Sequence, residues 1–257
     1  MFLNEFDLLD LRIAEELPHI DKLIVVESNY THSNNTKELL LKNNIKYQNE
    51  KIEILELVDA FCSNYVLNEN FQRDVAIMGK EFNDDDIIIA CDLDEIINSK
   101  DINDIVEKTL ELGLVKIKMP LFYYKINLMK SNNWHSSFAV SGKYLRETQL
   151  SLTDIRTIER ISGMEIPYTY PSKGWHFSFL GNPKQIAYKI QSFFHAEYNL
   201  PQFVDEKLIE ERIKSKTDPF ERLIPGEFDK LIKVDIDDTY PEAILNNLPK
   251  WEQYIEH

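Results

Sequence analysis

The run IIIAC at residues 87–91 constrains this chain more than any other segment. Five apolar residues without a polar break fit a strand buried on both faces, and the run stops at Asp92, Asp94 and Glu95. The sequence before it repeats a β-α rhythm. EFDLLDLRIAEEL carries apolar residues at helical spacing and ends before Pro18, and DKLIVVE is a short β-branched strand. TKELLLKNN predicts a short helix capped by Asn35, and KIEILEL a second strand. NENFQRDVAIMGKEF predicts a helix with Phe71, Val75, Met78 and Phe82 on one stripe. The expectation is an α/β fold with a mixed, mainly parallel sheet flanked by helices. Ligands of such sheets bind beyond the carboxyl ends of the strands, where Asp92, Asp94 and Glu95 fall.

Residues two apart in a strand share a face, so Asp92 and Asp94 can meet one ligand. Two carboxylates side by side repel unless a cation joins them. Mg²⁺ or Mn²⁺ suits such oxygen donors, with water and phosphate oxygens completing the shell. Spacing alone leaves a solvated acidic strand end equally open. The formal charge is −15, from 44 acids against 29 bases, which argues against nucleic acid or an anionic membrane surface as a partner. An anionic ligand therefore needs local positive charge, from a metal or from placed cations. Arg73 is the first candidate, with an ion pair to Glu69 or Asp74 as the ordinary alternative; Lys37 and Lys173 follow.

VDIDDTY, residues 234–240, matches the Asp-x-Asp-x-Thr nucleophile motif of phosphatases, with Asp235 as nucleophile and Asp237 as acid. That motif opens a doubly wound domain, and too little chain follows it here to build one. There is no Gly-rich phosphate loop and no Ser-His-Asp order. His176 lies among aromatics in GWHFS, where a satisfied core histidine is the ordinary reading, and His195 is expected on a helix. That helix, NPKQIAYKIQSFFHAEYN, has Asn182 as cap and Pro183 at its first turn. DEKLIEERIK predicts a charged helix. Cys62 and Cys91 make no disulfide framework. Without a signal peptide or an apolar stretch long enough to span a bilayer, a cytoplasmic protein of one domain is expected, with halves at 1–115 and 116–257.

Four segments in order, NEFDLLDLRI, VVESNYTHSNNTK, DDDIIIACDLDEI and GWHFSFLG, resemble glycosyltransferase family 17, the family of the β-1,4-mannosyl-glycoprotein N-acetylglucosaminyltransferases and their microbial and viral relatives. The resemblance runs over residues 3–200. It implies a GT-A-like, Rossmann-like nucleotide-sugar domain and an inverting transfer from a UDP-sugar, usually UDP-N-acetylglucosamine, to a glycan or glycoconjugate. It also implies Mn²⁺ or Mg²⁺ held by Asp92 and Asp94, with His176 as a further metal or diphosphate ligand. Asn4, Glu5 and Glu27 would face the uridine and Arg73 the nucleotide, and Asp101 matches a further acidic position of the family. The base stays open among Asp101, Glu95, Glu147 and Asp154. FYY at 122–124, with Trp134 and Trp175, offers either an acceptor platform or ordinary core. Two departures stand out: only MFL precedes NEFDLL, and Ile97 occupies a position where the family often has proline. A catalytically degenerate fold that binds glycans or a partner is the alternative reading.

Overall fold

Helix α1 (Phe6–Glu16) buries Leu8, Leu9 and Leu11 in the largest core cluster, together with Ile96, Phe122, Trp175 and Phe177. Its buried face also carries Arg12, Glu15 and Glu16. Strands β1 (Leu23–Ser28) and β2 (Ile52–Leu57) then pair in parallel, from Leu23 opposite Ile52 to Ser28 opposite Leu57. Ahead of them Phe2 makes one parallel bridge to Glu27, its amide donating to the Val26 carbonyl at 2.9 Å. The computed structural model describes residues 1–61, 63–163, 165–169, 171–224 and 227–257; Cys62 lies outside them.

The helix expected over residues 36–44 does not form. The Glu27 carboxylate, with no solvent exposure, accepts from the Leu40 and Leu41 amides at 2.8 and 3.0 Å and from Lys37 Nζ at 3.0 Å. An anion buried at a strand end captures backbone donors that a helix would have used. Helix α2 (Tyr65–Asp74) begins at an Asn64 cap and ends nearer its start than the periodicity predicts. Its apolar stripe faces outward, with Phe71 40% exposed, while Asn68 and Gln72 are buried. Polar contacts decide that orientation: Asn68 Nδ2 donates to the His32 carbonyl at 3.2 Å, and Gln72 Oε1 lies 3.2 Å from His32 Nε2.

Strands β3 (Ile87–Ala90) and β4 (Glu95–Ile97) flank the acidic turn. Helix α3 (Ile102–Leu112) and strands β5 (Leu114–Lys116), β6 (Met119–Tyr123), β7 (Leu128–Trp134) and β8 (Phe138–Ser141) follow. Then come α4 (Gly142–Thr148), α5 (Leu152–Ser162), β9 (Gly174–Ser178), α6 (Pro183–Ser192), α7 (Pro201–Val204), α8 (Glu206–Ser215) and β10 (Ile232–Lys233). The result is a mixed α/β fold with several small sheets, not the mainly parallel sheet expected. One sheet runs β3-β8-β5 and is antiparallel throughout; another runs β10-β7-β6-β9-β4. Among the described residues only β1–β2 and β6–β9 pair in parallel as strands. The reason is β8, whose four buried residues return between β3 and β5; apolar runs announce strands but not their partners. The apolar stretch of residues 112–128 likewise divides into strands of two sheets.

Candidate functional site

The acids of DLDE lie beyond the end of the strand that precedes them. Strand β3 ends at Ala90, Asp92 and Asp94 lie in the turn, and Glu95 opens β4. Glu95 has no solvent exposure and gathers the turn around itself. It accepts from the Asp92 amide at 2.7 Å, from Trp134 Nε1 at 2.6 Å and from Ser137 Oγ at 2.6 Å. From α1, Arg12 donates to the carbonyls of Asp92, at 2.7 Å, and of Glu95. Strand β9 closes the other side, placing His176 opposite Glu95. A Cβ on Gly174 would stand 2.2 Å from the Ile96 carbonyl, so this approach requires the glycine that opens GWHFS.

Asp92 and Asp94 do not share one cation. Asp92 Oδ2 accepts from Arg156 at 2.6 Å, and Oδ1 lies 3.4 Å from an Arg73 nitrogen. Asp94 Oδ2 accepts from Lys189 Nζ at 2.7 Å, and Oδ1 lies 3.4 Å from His176 Nε2. Burial opposes ionisation of both carboxylates, yet Arg156 and Arg73 hold Asp92, and Lys189 and His176 hold Asp94, well below the usual carboxylate range. Among the described residues no three His, Cys, Asp or Glu side chains converge on a metal position, so the set Asp92, Asp94 and His176 is not assembled. The pair Asp94 and His176 still suits a divalent ion. It offers one hard oxygen and one imidazole nitrogen, and among the described residues the buried His176 Nδ1 has no hydrogen-bond partner to dictate the tautomer. Both oxygens of Asp92 face guanidinium groups and suit it less.

These groups line a cavity of about 1380 Å³, together with Glu5, Lys37, Arg73, Arg156 and Lys189. Glu5 Oε1 lies 3.2 Å from Lys189 Nζ. Arg73 joins Glu69 at 2.7 Å as well as Asp92, so the ordinary ion pair and the site contact coexist. Asn4 is exposed and Glu27 is enclosed behind Lys37; neither lines the cavity. Asp101 also lies outside it, paired with Lys173 at 2.6 Å. Asp154 borders it as an exposed helix cap accepting from the Ser151 amide, whereas Glu147 does not reach it. Asp235 and Asp237 are exposed elsewhere on the surface. Phe122, Tyr124 and Trp175 are core residues; Tyr123 and Trp134 reach the cavity, Trp134 with its ring 4.5 Å from that of His176.

Sequence reasoning missed Arg156 and Lys189. Lys189 had a signal, since it sits on the polar face of a well-capped helix directly after GWHFSFLG. Arg156 had none, because nothing local distinguishes it from the other charges of α5. The helix expected to carry His195 ends at Ser192, so Phe193, Phe194 and His195 turn instead into the cavity wall.

No curated protein matches the chain. Among solved structures it is similar to S. aureus TarS 1-349, with a TM-score of 0.42 and 14% identity over 80% of this chain and 69% of that one. The family model described as glycosyltransferase family 17 matches residues 1–250. A match over nearly the whole length shows the family: this chain belongs to glycosyltransferase family 17 and is a glycosyltransferase.

Proposed function

We propose that the chain moves a sugar, N-acetylglucosamine, from a UDP-sugar to a hydroxyl of a glycan or glycoconjugate with inversion at the anomeric carbon. The observation that carries this reading is the gathering of Arg73, Arg156 and Lys189 around Asp92 and Asp94, inside one cavity of a protein whose formal charge is −15. A diphosphate leaving group accumulates negative charge as its bond to the sugar breaks, and fixed cations in a partly desolvated site stabilise that charge. The acceptor oxygen forms the new bond to the anomeric carbon while the bond to the diphosphate oxygen breaks. The acceptor proton goes to a base, and UDP departs as the anion. Arg156 and Arg73 hold Asp92 in place, and Lys189 faces the donor from α6. Asp94 and His176 would hold Mn²⁺ or Mg²⁺, which supplies Lewis-acid stabilisation of the diphosphate when bound. Glu95, enclosed by its partners, acts by positioning the turn and Arg156.

Calorimetry with UDP-N-acetylglucosamine, with and without Mn²⁺, tests this reading. Binding strengthened by the metal is expected; no binding across a panel of nucleotide sugars in either condition refutes it. One observation favours a second reading, in which the fold binds without catalysis: each carboxylate oxygen of Asp92 and Asp94 already has a basic protein partner. That reading predicts binding indifferent to metal and unchanged by Asp94→Asn.

A further inference from the structure

The cavity has two chemically distinct walls. Arg73 and Arg156, from α2 and α5, make the charged one, ion-paired with Asp92, Glu69 and Glu95. Phe179, Phe193, Phe194, His195 and Tyr198 make the other, which is aromatic. Lys189 joins them, with Nζ 2.7 Å from Asp94 and 5.7 Å from the centre of the Phe179 ring.

The aromatic wall rests on Phe220, which is 6% exposed and stacks on Tyr198 at 4.0 Å and on Phe193 at 5.9 Å. Phe193, Phe194, His195 and Tyr198 are only partly buried, and Phe194 packs on His195 with ring centres 3.8 Å apart. A core would enclose such rings, whereas these border a cavity of about 1380 Å³. A single small-molecule ligand typically fills a pocket of about 300–1,000 Å³, so space remains for a second ligand beside the donor. The wall brings no uncompensated charge: Arg222, 4.8 Å over Phe220, is matched by the buried Asp218, with Nε and an NH2 nitrogen each 3.1 Å from a carboxylate oxygen.

We propose that this aromatic wall is the acceptor subsite and that it takes a neutral hexopyranose of a glycan by stacking against the C–H face of the sugar ring. The inference rests on the transferase reading above. Sugar C–H groups carry partial positive charge and meet the negative face of an aromatic ring, while the apolar side of the sugar leaves water. Helix α6 makes this arrangement by ending at Ser192, where Phe193 turns extended.

The test compares wild type with Phe194→Ala and with Phe194→Leu, which keeps apolar volume but removes the ring. Ligand-observed NMR titrations with the methyl β-glycosides of N-acetylglucosamine, mannose and galactose measure acceptor binding, and calorimetry with UDP-N-acetylglucosamine measures donor binding. At least one glycoside should bind wild type. Both variants should weaken it by about fivefold to tenfold, the range of a lost aromatic stacking contact, with donor affinity unchanged. Unchanged glycoside affinity in the variants overturns the proposal, as does failure of every glycoside to bind wild type. Loss of donor rather than glycoside binding also overturns it, because the wall would then belong to the nucleotide sugar. If wild type binds a glycoside in this ring-dependent way but no nucleotide sugar, the wall stands and the donor reading fails. Should Phe194→Ala not fold, Phe194→Leu carries the comparison.

Discussion

Arg156→Met removes a guanidinium while keeping an apolar stem of similar length, and its cost follows from what it strands. In the wild type Arg156 bonds Asp92 at 2.6 Å and the two Glu95 oxygens at 3.3 and 3.4 Å, with its side chain 13% exposed. Asp92 is 28% exposed and keeps Arg73, so water and that second arginine take over part of the lost interaction. Glu95 has no exposure and keeps the neutral donors of Trp134, Ser137 and the Asp92 amide. Leaving one buried charge without its partner costs about 3–5 kcal/mol, a large share of the roughly 5–15 kcal/mol that holds a domain together. At about 2–4 °C per kcal/mol for a chain of this size, the melting temperature should fall by on the order of 10 °C, measured by thermal and urea unfolding. Adding Glu95→Gln to the variant should recover part of the loss, because the stranded charge is gone, although Glu95→Gln alone should destabilise the wild type. The coupling in that double-mutant cycle should exceed about 1 kcal/mol. A single variant within about 0.5 kcal/mol of wild type, or strictly additive effects, would refute the argument that Glu95 and Arg156 form one buried unit.

Three further predictions concern separate parts of the molecule. Asp94→Asn should abolish sugar transfer while leaving the fold intact, and Asp235→Asn should leave transfer unchanged; the reverse pattern in an activity assay would point to phosphatase chemistry at VDIDDTY. Burial pushes the Lys116 ammonium down to a pKa of about 8, from the ordinary lysine value of 10.5. The unfolded state therefore binds more protons between those values, and stability should rise with pH over that interval by more in wild type than in Lys116→Met, as followed by urea unfolding. Glu27→Gln removes the buried charge that Lys37 and two backbone amides share, and should cost about 3–5 kcal/mol through the stranded Lys37, seen as a lower urea midpoint at unchanged slope.

Much of the local structure was legible. Asn182 and Pro183 mark the start of α6, where Asn182 and Gln185 form a reciprocal cap, and the helix predicted at DEKLIEERIK is α8 behind an Asp205 cap. The strands at VVE and at IIIA also stand where their β-branched residues put them. The misses share one cause. Residues 36–44 have helical composition, but Glu27, ten or more positions earlier, takes their amides. The apolar stripe of α2 faces outward because Asn68 and Gln72 meet the loop around His32.

The sequence by itself determined where the apolar strand run ends, which acids follow it, and, through four ordered segments, the family. Those features depend on neighbours within a few positions, which periodicity and capping register directly. Only the tertiary structure decided what the acids touch. Arg156 lies 64 residues from Asp92 and Lys189 lies 95 from Asp94, and both arrive on helices whose placement depends on the order of the strands. The antiparallel return of β8, the close approach of Gly174 to Ile96 and the end of α6 at Ser192 turn an acidic strand end into an ion-paired turn with an aromatic wall beside it. Electrostatic partnership acts through space, and the pattern of a linear chain does not encode which distant cation will face a given carboxylate.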